Sequence, residues 1–291
     1  MTKLFNRNVL VTVFRMSSPA ATEFNPKPLG PGEQLEISGL RVKFKVERDF
    51  SKHPNNTSIE IFNLAPKTRA DLQTLPLRVQ LAAGYDGVNR LMAVGDLFFA
   101  QSKQEGTEWV TLLQLTDGGR SYGTSRISKS FAKNSTYRQV LRDVARTMGM
   151  QLPPALDKNP DLDRQLPTGL ALHGPSRDEL TRLLAPFGYV WSFQNGVLRV
   201  LSDNEVVNRG RALVIGEEQG MIGTPEFGSP SKTGKPPHIT IKMLLFPELI
   251  PGDLVALKSR AKTGSFKVEK VTHEGDTHSG DFVTTIEIKP I

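Results

Sequence analysis

Residues 40–49 read LRVKFKVERD, with Leu40, Val42, Phe44 and Val46 alternating with Arg41, Lys43, Lys45 and Glu47. A period of two puts every apolar side chain on one face of an extended chain and every charge on the other. A helix would spread the same residues around its whole circumference. The run therefore predicts a strand with one dry face and one wet face.

Related runs fill the first third of the chain. VLVTVF at 9–14 is apolar on both faces, as expected of a more buried strand. NNTSIEIFNL, LRVQLAAGYDG, RLMAVGDLFFAQSK and EWVTLLQLTDG predict four more strands, punctuated by Asp86-Gly87 and Glu105-Gly106 and closed by Asp117-Gly118. APKTRADLQTL predicts a short helix with Pro66 in its first turn, where a missing N–H costs little. Between the first two strands, SSPAATEFNPKPLGPGE is too long for a hairpin turn and reads as a loop or arm. Residues 1–118 thus predict a small antiparallel barrel or sandwich.

The period then changes. In TYRQVLRDVARTMGM the apolar residues Tyr137, Val140, Leu141, Val144, Ala145 and Met148 form a helical stripe. Thr136 and Gln139 have capping-box spacing, and Gly149 is a natural stop. A second helix is predicted from Ser176, with Leu180, Leu183 and Leu184 inward and an end near Pro186-Phe187-Gly188. YVWSFQNGVLRVLS then reads as a hairpin, Asn195-Gly196 supplying the two φ > 0 positions of a type I′ turn. Residues 119–204 predict a compact α+β unit.

The last third, 205–291, returns to strands: ALVIGEEQGMIGTPEF, HITIKMLLF, DLVALKS, GSFKVEKVTHEG and DFVTTIEIKPI, with turns at Pro251-Gly252 and Thr263-Gly264 and a polar loop at 229–237. The expected fold is mainly β with an α+β insert: two small antiparallel β-barrel domains, 1–118 and 205–291, flanking the α+β domain 119–204.

Composition excludes several classes. No run of about 18 apolar residues exists, so no helical membrane span is predicted. The N-terminus lacks the apolar segment and cleavage site of a secretory signal. With no cysteine, disulfides and thiolate metal sites are ruled out, which fits a reducing cytoplasm. The net charge of +7 is carried by Lys and Arg scattered along the strands, a pattern that favours solvated faces and protein interfaces over a nucleic-acid groove.

The densest set of ionisable groups is HEGDTHSGDF at 273–282, where His273, Glu274, Asp276, His278 and Asp281 crowd together. Imidazole and carboxylate ligands could hold zinc and activate water, making a metal-dependent, cell-wall-degrading hydrolase the alternative reading. The spacing matches no recognised zinc motif, and Gly275-Asp276 and Ser279-Gly280 are turn residues, so a hairpin loop between strands 266–273 and 282–289 is preferred. DGGRSYG lacks the Lys-Ser/Thr ending of a phosphate loop, and DKNPDLD lacks the glycine and final Glu of a calcium loop. His173 and His238 are isolated, while Trp109 and Trp191 read as core anchors. No catalytic, cofactor-binding or metal-binding residue and no cofactor is assigned.

The order of elements resembles a known family. NNTSIEIFNLAPKTRADL, VQLAAGYDG and LMAVGDLFFAQSKQEGTEWVTLLQLTDGGRSY are similar to the baseplate or tail-hub proteins of tailed bacteriophages, related to the hub of contractile injection systems. The likeness continues through SKSFAKNSTYRQVLRDVARTMGM and LALHGPSRDELTRLLAPFGYVWSFQNGVLRVL to the P-G-D turn and H-x-G-D hairpin of the last third, covering about 40–291. It implies a non-enzymatic virion protein of the tail baseplate or tip, assembled in the host cytoplasm and serving host-cell puncturing and genome ejection. It implies a homotrimer whose six β domains form a pseudo-sixfold ring. The expected partners are the tail tube or its initiator, a central spike, baseplate wedge proteins and the tape measure, with DNA passing through unbound. No spike domain is appended, so the spike is expected to be a separate protein. The arm 17–33 and the loop 229–237 are candidates for wrapping a neighbour.

Overall fold

The computed structural model describes residues 6–15, 34–51, 53–74, 76–202, 205–207, 212–228 and 238–291. The arm 17–33 and the loop 229–237 lie outside the described residues.

The first third forms β1 (Arg7–Arg15), β2 (Gln34–Ile37), β3 (Val42–Asp49), β4 (Asn56–Phe62), helix α1 (Pro66–Leu72), β5 (Leu77–Tyr85), β6 (Val88–Glu105) and β7 (Glu108–Thr116). The alternation in 40–49 is realised as expected: Val42, Phe44 and Val46 are buried and their charged neighbours face out. Asp86 and Gly87 both take positive φ, as a tight hairpin requires. β2 is a strand that sequence periodicity does not announce.

The middle forms α2 (Gly119–Thr124), β8 (Arg126–Phe131), α3 (Tyr137–Thr147), α4 (Pro154–Asp157), β9 (Leu170–Pro175), α5 (Ser176–Leu184), β10 (Tyr189–Gln194) and β11 (Val197–Ser202). The α3 capping box is complete: Gln139 N donates to Thr136 Oγ1 and Thr136 N to Gln139 Oε1. At its other end Gly149 takes a left-handed φ of 67°, and Met150 N donates back to Ala145 O. Asn195 and Gly196 take φ 56° and 75°, the type I′ turn expected between β10 and β11. Ser176, where the second helix starts as expected, is fully buried, and its hydroxyl meets Thr147 Oγ1 at 2.7 Å, tying α5 to α3.

The last third forms β12 (Leu213–Gly216), β13 (Met221–Phe227), β14 (Ile239–Leu244), β15 (Leu254–Lys258), β16 (Thr263–Asp276) and β17 (Phe282–Pro290).

The expected pair of separate barrels is replaced by one continuous sheet. Its hydrogen-bonded order is β13-β14-β17-β16-β3-β4-β7-β6-β5-β1-β2, with β15 and β12 branching from β16. No pairing closes it into a ring among the described residues. The joint between the two halves is β3 against β16, antiparallel over Lys270↔Asp49 to Asp276↔Lys43. Each half nevertheless doubles back around a core. β6 pairs β5 with its first half and β7 with its second, and ladder irregularities fall at Leu81/Ala82 and Leu97/Phe99. β16 does the same between β15 and β3, with an irregularity at Val268/Lys270. Bulges bend and twist a strand, which lets one long strand serve two layers. Strand patterning alone predicts such curled layers; it does not say that they share a ladder.

Three apolar clusters lie beneath these elements. One spans β1–β7 but also takes in Leu245 and Phe282 from the last third. A second is confined to the α+β region, and a third to β12–β17.

Candidate functional site

The histidine segment comes apart when folded. β16 runs through Asp276, so His273, Glu274, Gly275 and Asp276 are strand residues and the turn is confined to 277–281. Gly275 is therefore not a turn glycine. A Cβ there would stand 2.4 Å from Phe44 Cζ and 2.7 Å from Phe282 Cδ2, so only glycine admits the two rings, which meet edge to face. Gly280, at φ +77°, is the true turn residue.

His273 points into the core with 0% exposure, its Nδ1 2.8 Å from Thr284 Oγ1. Burial, aided by the nearby charge of Arg48, lowers its pKa to about 3, so the ring is neutral at physiological pH. His278 is exposed in the turn, where its N–H donates to Asp276 Oδ1. Asp276 is gripped by Arg41, with Nη2 donating to Oδ2 at 2.9 Å. Burial pushes the Asp276 carboxyl up, but Arg41 and the His278 and Ser279 N–H groups outweigh it and hold the pKa below the ordinary value. Glu274 pairs with Lys45 at 3.2 Å and Asp281 with Lys242 at 3.0 Å. The five ionisable side chains thus have no common focus. Among the described residues no group of three or more His, Asp or Glu is placed to hold a metal ion.

The other sequence candidates are also accounted for. In DKNPDLD, Asp157 pairs with Arg142 and Asp163 with Arg138, and Asn159 caps the turn that follows. His173 sits on the β8–β9 ribbon near Ser128, and His238 meets Glu269. Trp191 is a core anchor whose Nε1 donates to Thr181 Oγ1. Trp109 is not. It is 38% exposed, and its ring is covered by the Arg69 guanidinium at 3.8 Å.

The most developed polar site was not visible in the sequence. Where β7 ends, Asp117 is buried and accepts the Asn195 and Gly196 N–H groups at 2.6 and 2.7 Å. The tip of the β10–β11 hairpin is thereby pinned to the sheet. Arg48, only 2% exposed, donates to the Met92 carbonyl and to Asn195 Oδ1. Asn55 completes the joint by donating to Phe193 O, and Gln194 by donating to Asp49 O. Gly118 follows at φ +62°, where a Cβ would strike the Phe193 ring at 2.5 Å. Burial raises the Asp117 pKa to about 6 against the pull of Arg48 and the two N–H donors. Burial likewise lowers Arg48 to about 10. The cleft beside this joint is about 10 Å³, far below the size of a ligand pocket. Its chemistry is that of a rivet.

Two extended surfaces remain. The first is the polar side of an eight-strand band, β13-β14-β17-β16-β3-β4-β7-β6. Its register sets unlike charges beside one another: Lys45 lies opposite Glu274, Lys43 opposite Glu60 and Lys270 opposite Glu287. The second is the pair of edges that bound this band. Among the described residues β6 beyond Leu97 pairs only with β7, and Phe98 and Phe99 are exposed there. At the other end β13 pairs only with β14 among the described residues, with Ile222 and Phe227 exposed. No helix among the described residues is long and apolar enough to cross a membrane.

No protein-family model matches the chain, and no curated protein matches it. Solved structures do. The 43 kDa tail protein of prophage MuSo2 from Shewanella oneidensis superposes with a TM-score of 0.65 at 9% identity, covering 98% of this chain and 97% of that one. A tail protein from Neisseria meningitidis MC58 gives 0.58 at 10% identity over 98% and 96%. The E. coli c3393 protein, a type VI secretion component described as similar to the T4 tail proteins gp27 and gp5, gives 0.61 at 14% identity over 86% and 73%. The fold of this chain is that of phage tail proteins, end to end.

Proposed function

We propose that the chain is a structural hub of a phage-type tail baseplate. Three copies form a pseudo-sixfold ring that joins a sixfold tail tube to a trimeric spike and encloses a channel for tape measure and DNA. Residues 1–118 and 205–291 supply the two β units of each subunit, and 119–204 braces the outside. Its partners are the tube or tube initiator, the spike, wedge proteins and the tape measure. Its place is the virion tail tip, reached by assembly in the host cytoplasm.

The observation that carries this reading is the pair of bare edges on a tail-protein fold. Beyond Leu97, β6 offers eight residues with no partner on one side among the described residues, bearing Phe98 and Phe99, and β13 offers Ile222 and Phe227. Exposed edges invite pairing and are normally covered or blunted. An edge that meets a different edge of the next copy is a heterologous contact, which closes into a ring when the rotation allows. The irregularities in β6 and β13 restrict which register fits.

Light scattering on the purified chain over a range of concentrations tests the reading. The expected result is a trimer, or a monomer moving towards trimer as concentration rises. A strict monomer at high concentration counts against it.

A further inference from the structure

We propose that the open edge of β11 is a docking site for an extended acidic segment of a partner protein, which pairs antiparallel with Val200 and sets a carboxylate against Arg199. The site lies within one chain, so it stands or falls independently of the ring.

β10 and β11 form a two-stranded ribbon, and on its far side β11 has no strand partner among the described residues. Backbone groups alternate in direction along an antiparallel strand. A two-residue hairpin closes on a hydrogen-bonded pair, here Gln194↔Val197, so Trp191↔Val200, three pairs on, is a pair whose N–H and C=O groups point outward. Ser202 confirms the phase: its N–H donates to Glu205 Oε2 at 3.1 Å and its carbonyl accepts from Glu205 N at 3.1 Å. Val200, two residues earlier, turns its N–H and carbonyl the same way. Neither finds a hydrogen-bond partner among the described residues, although Val200 is only 8% exposed.

This edge opens on a groove of about 620 Å³, within the usual size of ligand pockets. Arg199, Val200 and Leu201 line one bank, and three consecutive strand residues do so together only where the strand presents its edge. Pro153, Pro154, Leu156 and Pro160 line the other. Prolines have no N–H, so that bank leaves the Val200 carbonyl without a donor. Both banks are fixed. Arg142 holds Asp157 through two bonds at 2.8 and 2.9 Å, and Asn159 Nδ2 donates to Tyr189 Oη at 2.6 Å. Beyond the strand, Val207 N donates to Gly252 O at 2.8 Å. The groove is preformed, with one strand position left to fill.

Charge selects the occupant. Arg199 makes no hydrogen bond or ion pair among the described residues, and its Nε is buried without a partner. The groove's own carboxylate, Glu205, is turned to Ser202 N. Residues 119–202 carry twelve Lys and Arg against six Asp and Glu, so the surroundings favour an anion. In an antiparallel strand the residue facing Val200 exchanges both backbone bonds with it, and the next residue faces Arg199. An acid there gains a charge-assisted hydrogen bond. The residue on the other side faces Leu201, with Val207 also lining the groove, so an apolar side chain suits it. The recognised order is apolar, apolar, acid.

Fluorescein-labelled Ser-Thr-Ile-Val-Glu-Thr-Ser, followed by anisotropy against the full chain, tests the assignment. The peptide should bind saturably. Replacing its valine N–H by an ester oxygen should weaken binding at least about fivefold, whereas the same change at its glutamate, whose N–H faces away from β11, should cost less than about twofold. Exchanging the peptide's glutamate for glutamine, or Arg199→Gln in the protein, should each weaken binding about fivefold, and the two together little more than either alone. The ester pair uses the parent chain, so it does not depend on the folding of a variant. No saturable binding, or equal binding of amide and ester at the valine, overturns the edge assignment. Additive losses at the glutamate and Arg199 overturn the charge pairing. Binding that appears only after deletion of 17–33 gives the groove to the chain's own arm, and binding lost as the chain associates gives it to a second copy; either overturns the partner reading.

Discussion

Replacing His273 with glutamine should change how stability depends on pH, and the structure fixes the sign. His273 is wholly buried and neutral, with a pKa of about 3 against 6.5 for a free histidine. As pH falls below 6.5 the unfolded chain takes up a proton that the folded chain refuses. Stability tied to this residue is therefore complete above pH 6.5 and lost as pH falls towards 3. The difference between the two states corresponds to about 5 kcal/mol in all, of which roughly half is lost by pH 4.5.

Asp117 works in the opposite direction. Its pKa is about 6 in the fold against 3.8 unfolded, so the folded state binds the proton more tightly and gains stability as pH falls from 6 to 3.8. That gain is about 3 kcal/mol when complete, so between pH 6 and 4 the two residues nearly offset one another in the parent protein. Glutamine at 273 removes one side of the balance. Urea unfolding followed by circular dichroism, on parent and variant at pH 7 and pH 4.5, isolates the effect because all other groups are common to both. The stability difference between parent and variant should move by about 2–3 kcal/mol in favour of the variant on acidification. A difference constant to within about 0.5 kcal/mol would mean that His273 is not held neutral, and the argument from burial would fall.

Three further outcomes follow from named contacts. Gly275→Ala should destabilise the β3–β16 joint by about 1–3 kcal/mol, because its methyl must displace the Phe44 and Phe282 rings; a denaturant midpoint equal to the parent's would refute this. Asp117→Asn should loosen the hairpin tip, since the Asn195 and Gly196 N–H groups bond to different carboxylate oxygens and the amide replaces one of these with an NH2 donor, leaving one buried N–H facing another donor at about 1–3 kcal/mol. Faster amide exchange at those two positions, with the α3 amides unchanged, is the expected signature. Thr136→Ala should cost about 1 kcal/mol by removing the α3 cap, read from the thermal midpoint, whereas Thr136→Ser should restore most of it.

The features legible in the sequence are those whose cause lies within a few residues. Alternation in LRVKFKVERD, the Thr136–Gln139 box and the Asn195-Gly196 turn each carry their physics locally, and each is realised. The features that were missed have causes far along the chain. Gly275 looks like a turn glycine because the Phe44 ring that demands it comes from the opposite end of the protein. Asp117 looks like half of an Asp-Gly turn because the N–H groups it serves lie 78 and 79 residues later. The ladder between β3 and β16, which merges two expected barrels into one sheet, leaves no local trace either, since a strand's edge carries the same backbone groups whatever its neighbour. Only the opposition of Lys45 to Glu274 hints at it, and that opposition has meaning only once the register is known. The histidine pair teaches the same point from the other side. His273 and His278 look like one site because they are close in sequence, but a strand that continues to Asp276 buries the first and leaves the second in the turn, so proximity along the chain becomes separation in space. In a protein whose working parts are sheet faces and edges, the groups that act together are those that share a ladder, and the ladder is set by the fold as a whole.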